Sequence, residues 1–257
     1  YNPLERTMTV LDPESKGLPR NFSQKDIDHP TRVVLEIDSR CNYRCKYCSE
    51  GKNPPKFSIP KEKLFPLIDE IDEMKVHELT IRGGEATQHP DFEEIWNYAS
   101  NKEFLTANIL TNGSMFTTPK VREMLKNSRS KIVVSLDGFQ EINSLYRNPG
   151  QFDGVLKWLK PALQEMPNQV TLLSVLYRQN YTKIPEFARY MANMGLRFFH
   201  MSPLKRLGRS EIAEENFVSY DEINGLQKNL ETITEDFPEF KPTISCISLE
   251  KFKENRT

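Results

Sequence analysis

Between Thr31 and Ser202 the chain alternates short β-branched runs with longer amphipathic stretches, and this alternation limits the folds open to it. Thr31–Asp38 sets Val33, Leu35 and Ile37 against Val34, Glu36 and Asp38, with the period of two expected of a strand. Pro60–Lys75 carries Leu64, Leu67, Ile68 and Ile71 at helical spacing, with Pro60 at its start. Further strands are predicted at Glu78–Arg82, Thr106–Thr111, Lys131–Leu136, Gln169–Tyr177 and Arg197–Ser202. Helices are predicted between them at Pro90–Ser100, Pro119–Lys126, Phe152–Gln164 and Tyr181–Met194. Such a run predicts an α/β fold, a parallel sheet covered by helices. Six units fall short of the eight that close a barrel, so a partial (β/α)6 barrel is expected.

The barrel is expected to occupy residues 31–210. Residues 1–30 hold Pro3, Pro13, Pro19 and Pro30 without a clear period and predict an irregular lead-in. Residues 211–257 predict a helical extension with a helix over Tyr220–Thr234, or the truncated start of a further domain. With 35 Lys and Arg against 36 Asp and Glu, the net charge of −1 gives no electrostatic case for nucleic acid as main partner. No run of eighteen apolar residues appears, so no membrane partner is expected. No signal peptide is evident, which points to the cytoplasm, where thiols stay reduced.

The unusual residues cluster at C-terminal strand ends, the face where β/α barrels build active sites. A cysteine loop follows the first strand and Gly83-Gly84-Glu85 the second; Thr111-Asn112-Gly113 closes the third. Ser135-Leu136-Asp137-Gly138 ends the fourth, and His200-Met201-Ser202-Pro203 the sixth. Alternation turns Ile132, Val134 and Leu136 toward the helices, with Val133, Ser135 and Asp137 facing the lumen. Glu36, Asp38, Asn108 and Asn112 join them, which predicts a cavity for a polar ligand. A one-residue slip of a strand would reverse its assignment.

Three of the four cysteines, Cys41, Cys45 and Cys48, are spaced C-x3-C-x2-C. One short loop can point three thiolates at a soft metal centre. A structural zinc site wants four ligands, and no histidine or fourth cysteine lies nearby, His77 being the closest downstream. A disulfide with a spare thiol stays open on counting alone. An iron–sulfur cubane takes four thiolates, so three leave one iron open.

The stretch Cys41-Asn42-Tyr43-Arg44-Cys45-Lys46-Tyr47-Cys48-Ser49-Glu50 resembles the cluster loop of the radical SAM superfamily. The resemblance covers about residues 31–210 and implies a [4Fe-4S] cluster on the three cysteines, with S-adenosylmethionine (SAM) at the open iron. It implies that the Tyr47 backbone lies near the adenine and that Gly83-Gly84-Glu85 contacts the methionine amino group. Arg82 stands where many relatives have a small residue or Gln. Ser135 and Arg147 match the pair that holds the SAM carboxylate in sulfatase-maturating and peptide-modifying members. Asp137 and Asn112 each read as a ribose contact or as a turn residue. Pro203–Arg209 resembles a segment near the adenosine, or is a basic surface loop; His200 reads as a packed histidine.

Cys246 has three readings: the first ligand of an auxiliary cluster, a hydrogen-atom donor, or a small buried hydrophobe. The implied reaction is reductive SAM cleavage and hydrogen abstraction from a substrate, under low oxygen, with a one-electron donor such as a flavodoxin or ferredoxin. A peptide or protein side chain is the expected substrate. A small metabolite or cofactor precursor is the alternative, and a non-catalytic Fe–S or zinc scaffold a third reading.

Overall fold

A computed structural model describes residues 8–10, 20–22, 30–51, 56–104, 106–205 and 214–245. Its main body follows the expected alternation: β3 (Arg32–Glu36), α1 (Lys61–Glu73), β4 (Glu78–Arg82), α2 (Phe92–Ser100), β5 (Thr106–Thr111) and α3 (Thr118–Met124). It continues through β6 (Ser130–Ser135), α4 (Gln140–Tyr146), α5 (Gln151–Glu165), β7 (Val170–Leu176), α6 (Ile184–Asn193), β8 (Phe198–Pro203), α7 (Tyr220–Asp236) and β9 (Lys241–Ile244). The strands form one parallel sheet in the order β3-β4-β5-β6-β7-β8-β9, an open α/β fold with β3 and β9 at its edges.

Three elements differ from the sequence expectation. The C-terminal segment, expected to be helical, adds β9 as a seventh strand after α7. The lead-in, expected to be irregular, contains β1 (Met8–Val10) paired antiparallel with β2 (Arg20–Phe22). The short helix α4 stands between Gly138 and Arg147, where no helix is predicted.

The two faces of the sheet divide as the alternation requires. Ile37, Leu79, Ile81, Ile109, Ile132, Val134, Leu172 and Phe199 are buried in the core with the helices. Each such side chain contributes about 1.5–3 kcal/mol over its exposed state. The register brings Glu36 beside Arg82, and Asn108 beside both Thr80 and Lys131, on the opposite face. Trp158 donates its indole N–H to the Gly113 carbonyl at 3.0 Å. Gly113 has φ +74°, and a Cβ there would lie 3.0 Å from Trp158, Val134 and Val155, so the turn after β5 takes glycine.

β9 is fastened across the lumen face by His200, whose ring nitrogens meet Thr243 Oγ1 at 2.9 Å and Ser245 Oγ at 2.7 Å. Burial holds the His200 pKa below its ordinary value, as befits a hydrogen-bonded structural histidine. The helix α7 opens with a Ser219–Glu222 capping box. Arg178, just beyond β7, pairs with the same Glu222 and, with Ser219 and Tyr181, holds its carboxyl down to about 2.

Candidate active site

A cavity of about 1290 Å³ opens at the C-terminal strand ends. Its wall brings together Cys41, Cys45, Tyr47, Cys48, Gly83, Gly84, Glu85, Asn112, Ser135 and Arg147, every expected site residue except Asp137. Asp38, expected in the lumen, is also off this wall, fully buried beneath it.

The cysteine loop is fixed along its whole length. At its start, Asp38 accepts the Arg40 backbone N–H at 2.7 Å, the Arg40 Nε–H at 2.9 Å and the Ser58 hydroxyl at 3.1 Å. Burial works to raise the Asp38 carboxyl, and these bonds more than offset it, holding the pKa below its ordinary value. The backbone N–H of Gly84 donates to Asp38 O at 2.8 Å and that of Glu85 to Arg40 O at 2.7 Å. A Cβ on Gly84 would lie 2.5 Å from Ser39 O and Arg40 O. The glycines thus let the end of β4 meet the root of the loop, while both stay on the cavity wall. Farther along, Asn112 Nδ2 donates to Asn42 Oδ1 at 2.9 Å, and Lys46 N donates to Tyr146 O at 2.9 Å.

Arg82 closes the loop's far end. Its Nη2 lies 2.6 Å from Glu50 Oε1 and 3.0 Å from Glu36 Oε1, joining the residue two after Cys48 to the ends of β3 and β4. Arg82, which stands where the resemblance leads one to expect a small residue or Gln, is therefore a clasp. Arg82→Gln is expected to leave thermal stability within about 1 kcal/mol, since partly exposed pairs contribute little. It is expected to speed cluster loss to a chelator several-fold, read from the decay of visible absorption.

The three cysteines are free thiols, each half-buried. Burial raises the Cys41 thiol, and raises Cys45 from an ordinary 9.0 to about 11. Each is raised further by its neighbours' negative charge, including that of Cys48. Among the described residues no three His, Cys, Asp or Glu side chains converge on a point that one ion could occupy. A structural zinc site takes four ligands, whereas a cluster offers a separate iron to each of three thiolates. The donor set fits a cubane with one iron free of protein.

The raised thiols set a pH dependence for the metal-free chain. A pKa raised by folding stabilises the fold below the unfolded value and withdraws that stability as pH climbs through the folded one. Melting temperature is therefore expected to fall from pH 9 to about pH 11, the window between the ordinary and the raised value of Cys45. Cys45→Ala is expected to flatten that fall, as a calorimetric pH series would show.

Asp137 is buried behind the cavity wall, bonded to two of its lining side chains. Its carboxylate accepts the Tyr47 hydroxyl, the Arg147 Nε–H at 2.8 Å and the Val175 backbone N–H at 2.9 Å. It is fully buried and bonded to Tyr47, Arg147 and Val175, where the sequence predicts a ribose contact or a turn role. The Arg147 guanidinium also lies over the Tyr47 ring, 5.3 Å from its centre. Burial works to lower Arg147, yet Asp137, Tyr47 and Cys45 outweigh it and raise its pKa above the ordinary value. Burial pushes the Tyr47 phenol well up. Glu85, expected to meet an ammonium group, accepts Thr87 Oγ1 at 2.6 Å, Thr111 Oγ1 at 2.7 Å and Asn112 N at 2.6 Å. With its carboxylate bonded within the protein, it joins the ends of β4 and β5.

Three buried amides absent from the sequence reading hold the strand ends in place. Gln151 donates to Asn112 O at 2.7 Å and Ser135 O at 2.8 Å. Asn143 Oδ1 accepts Asp137 N at 2.9 Å, while its Nδ2 donates to Gln151 Oε1 at 3.1 Å. Asn180 donates to Asp137 O at 3.0 Å and Val175 O at 2.7 Å. Their sequence signal is weak: Asn143 lies within α4, Gln151 begins α5 and Asn180 precedes α6, and no local pattern sets them apart from surface amides.

The Radical SAM superfamily profile matches residues 35–201, well over half the chain and the span holding this cavity's cysteines, glycines and Ser135–Arg147 pair. The chain belongs to the radical SAM superfamily. Radical SAM proteins use a [4Fe-4S] cluster and SAM, the two groups the cavity fits. The chain is 29% identical over 206 residues to the mycofactocin maturase MftC of Mycolicibacterium smegmatis, covering 77% of this chain and 51% of that one. It is 31% identical over 175 residues to the Fe-coproporphyrin III synthase of Methanosarcina barkeri, covering 67% of this chain and 43% of that one. The fold matches SAM-bound SuiB of Streptococcus suis with TM-score 0.71 at 18% identity, over 86% of this chain and 51% of SuiB. The chain spans about half the length of the curated relatives it matches.

The segment from Arg206 to Arg209 and Cys246 lie outside the described residues. No helix among the described residues is long and apolar enough to cross a membrane.

Proposed function

We propose that this chain is the core of a radical SAM enzyme that cleaves SAM reductively at a three-cysteine [4Fe-4S] cluster and removes a hydrogen atom from a peptide or protein side chain. One observation carries the reading: three free thiols share a cavity wall with Ser135 and with an Arg147 already fixed by Asp137. Cys41, Cys45 and Cys48 would ligate the cluster. Arg147 offers a planar fork to the SAM carboxylate, and Ser135 a hydroxyl. The backbone of Gly83–Glu85 would take the amino group, because the Glu85 carboxylate is engaged elsewhere. Asn112 and the Tyr47 backbone would border the nucleoside, with Asp137 acting through Tyr47 and Arg147.

Leu110, Leu173, Val175 and Leu204 give the same cavity an apolar wall that would exclude water from a reactive radical. MftC is a maturase, which supports a peptide substrate for this chain; the synthase relative supports a small cofactor precursor as the second reading. The division into a lead-in, a barrel over 31–210 and a C-terminal extension is part of this proposal, as are a cytoplasmic, low-oxygen setting and a flavodoxin or ferredoxin as electron donor.

The test is anaerobic reconstitution with iron and sulfide, followed by dithionite and SAM. Formation of 5′-deoxyadenosine and methionine is expected by mass spectrometry. Their absence from a sample with a verified [4Fe-4S] cluster would reject the enzyme reading.

A further inference from the structure

The charges on the cavity wall do not cancel evenly. Arg40, Arg44, Lys56, Arg82, Arg147 and Lys205 line it, against Glu50 and Glu85 alone. Three of the cations are already matched: Arg40 by Asp38, Arg82 by Glu36 and Glu50, and Arg147 by Asp137. Arg44 donates to the Cys41 and Tyr43 carbonyls at 2.9 and 3.1 Å and lowers the Cys41 thiol, so it serves the cysteine loop. Glu85 is 1% exposed and hydrogen-bonded at the floor. Lys56 and Lys205 remain, both exposed, with no acidic partner among the described residues.

The sequence around these two lysines points the same way. Residues 51–58 contain Lys52 and Lys56, residues 202–210 contain Lys205, Arg206 and Arg209, and neither stretch holds an Asp or Glu. In a chain of net charge −1, two carboxylate-free basic stretches, each contributing one lysine to the cavity wall, are a local departure. The cofactors consume little of this charge: an oxidised cluster on three thiolates is a monoanion, and SAM bound to iron through a neutral amine carries no net charge, its carboxylate facing Arg147 rather than the two lysines.

We propose that the cavity rim at Lys56 and Lys205 selects an anionic substrate, a peptide segment carrying Asp or Glu carboxylates near the residue that reacts. This inference rests on the reading of the cavity as a peptide-modifying site. Rim cations act through long-range attraction, steering an acidic segment into the mouth and rejecting a basic one, and salt screens the effect.

The test uses reconstituted protein with SAM and three fluorescein-labelled octapeptides alternating Gly with Glu, Gln or Lys, followed by fluorescence anisotropy. The Glu peptide is expected to bind about ten-fold tighter than the Gln peptide at about 50 mM salt, falling to less than about two-fold at about 500 mM. Lys56→Glu combined with Lys205→Glu is expected to remove the preference, with iron content and circular dichroism verifying fold and cluster. Should that variant fail to fold, Lys56→Gln with Lys205→Gln takes its place, and the wild-type salt series stands by itself. No measurable Glu-peptide binding, equal binding of the Glu and Gln peptides, or a preference kept in a folded variant overturns the proposal. The same samples are assayed without peptide for 5′-deoxyadenosine. Its absence rejects the enzyme reading, whereas its presence with equal peptide binding rejects the rim alone.

Discussion

Asp137→Ala is expected to destabilise the folded chain by about 3–5 kcal/mol, the cost of leaving a buried charge without its partner. The Arg147 side chain is 7% exposed and the Asp137 side chain 0%, so the guanidinium left behind cannot recover water without opening the site. The Tyr47 hydroxyl and the Val175 N–H lose their acceptor in the same stroke. A loss of that size is a large part of the stability of an ordinary domain, about 5–15 kcal/mol. Urea unfolding measures it. Adding Arg147→Ala should restore part of the loss, because the stranded charge goes with it. A double-mutant cycle showing simple additivity would contradict the coupling. Asp137→Asn separates positioning from charge: it keeps the shape but weakens the hold on Arg147, and SAM affinity is expected to fall while iron content stays near wild type.

Cys45→Ala is expected to prevent stable cluster assembly, and with it all production of 5′-deoxyadenosine. Two thiolates cannot hold a cubane whose fourth iron is already free of protein. The thiol lies at the cavity rather than in the hydrophobic core, so the fold should survive with a change of about 1 kcal/mol or less. Iron and sulfide content, visible absorption and far-ultraviolet circular dichroism together distinguish this outcome from general unfolding. A variant that keeps a full cluster would remove Cys45 from the ligand set.

Much of the fold was legible because its signals are local. Val33 and Leu35 in β3, Ile37 just beyond it, and Ile132 and Val134 in β6 alternate as half-buried strands do, and the structure turns the expected side of each to the core. β9 escaped because its four residues include Pro242, which lacks an N–H, and strands with proline survive mainly at sheet edges. α4 escaped because seven residues are too few to establish a period, and its buried member is the polar Asn143.

The site was legible to a different degree. The cysteine spacing and the positions of Gly83, Ser135 and Arg147 all fall on one wall, because strand ends of a parallel sheet share a face. What each polar group bonds was not legible. Glu85 turns to Thr111 and Asn112, Asp137 to Tyr47 and Arg147, and Gln151 to two carbonyls distant in sequence. Such partners are chosen by tertiary packing, which no local pattern encodes.

On the proposed reading, the three cysteines leave one iron for SAM. Electron–nuclear double resonance on the reduced, reconstituted protein tests it most directly, using SAM labelled with ¹⁵N at its amino group. A shifted cluster signal on SAM addition and a resolved ¹⁵N coupling, weakened by Arg147→Ala, are expected. A verified cluster whose spectrum is unchanged by SAM, with no ¹⁵N coupling, would contradict it.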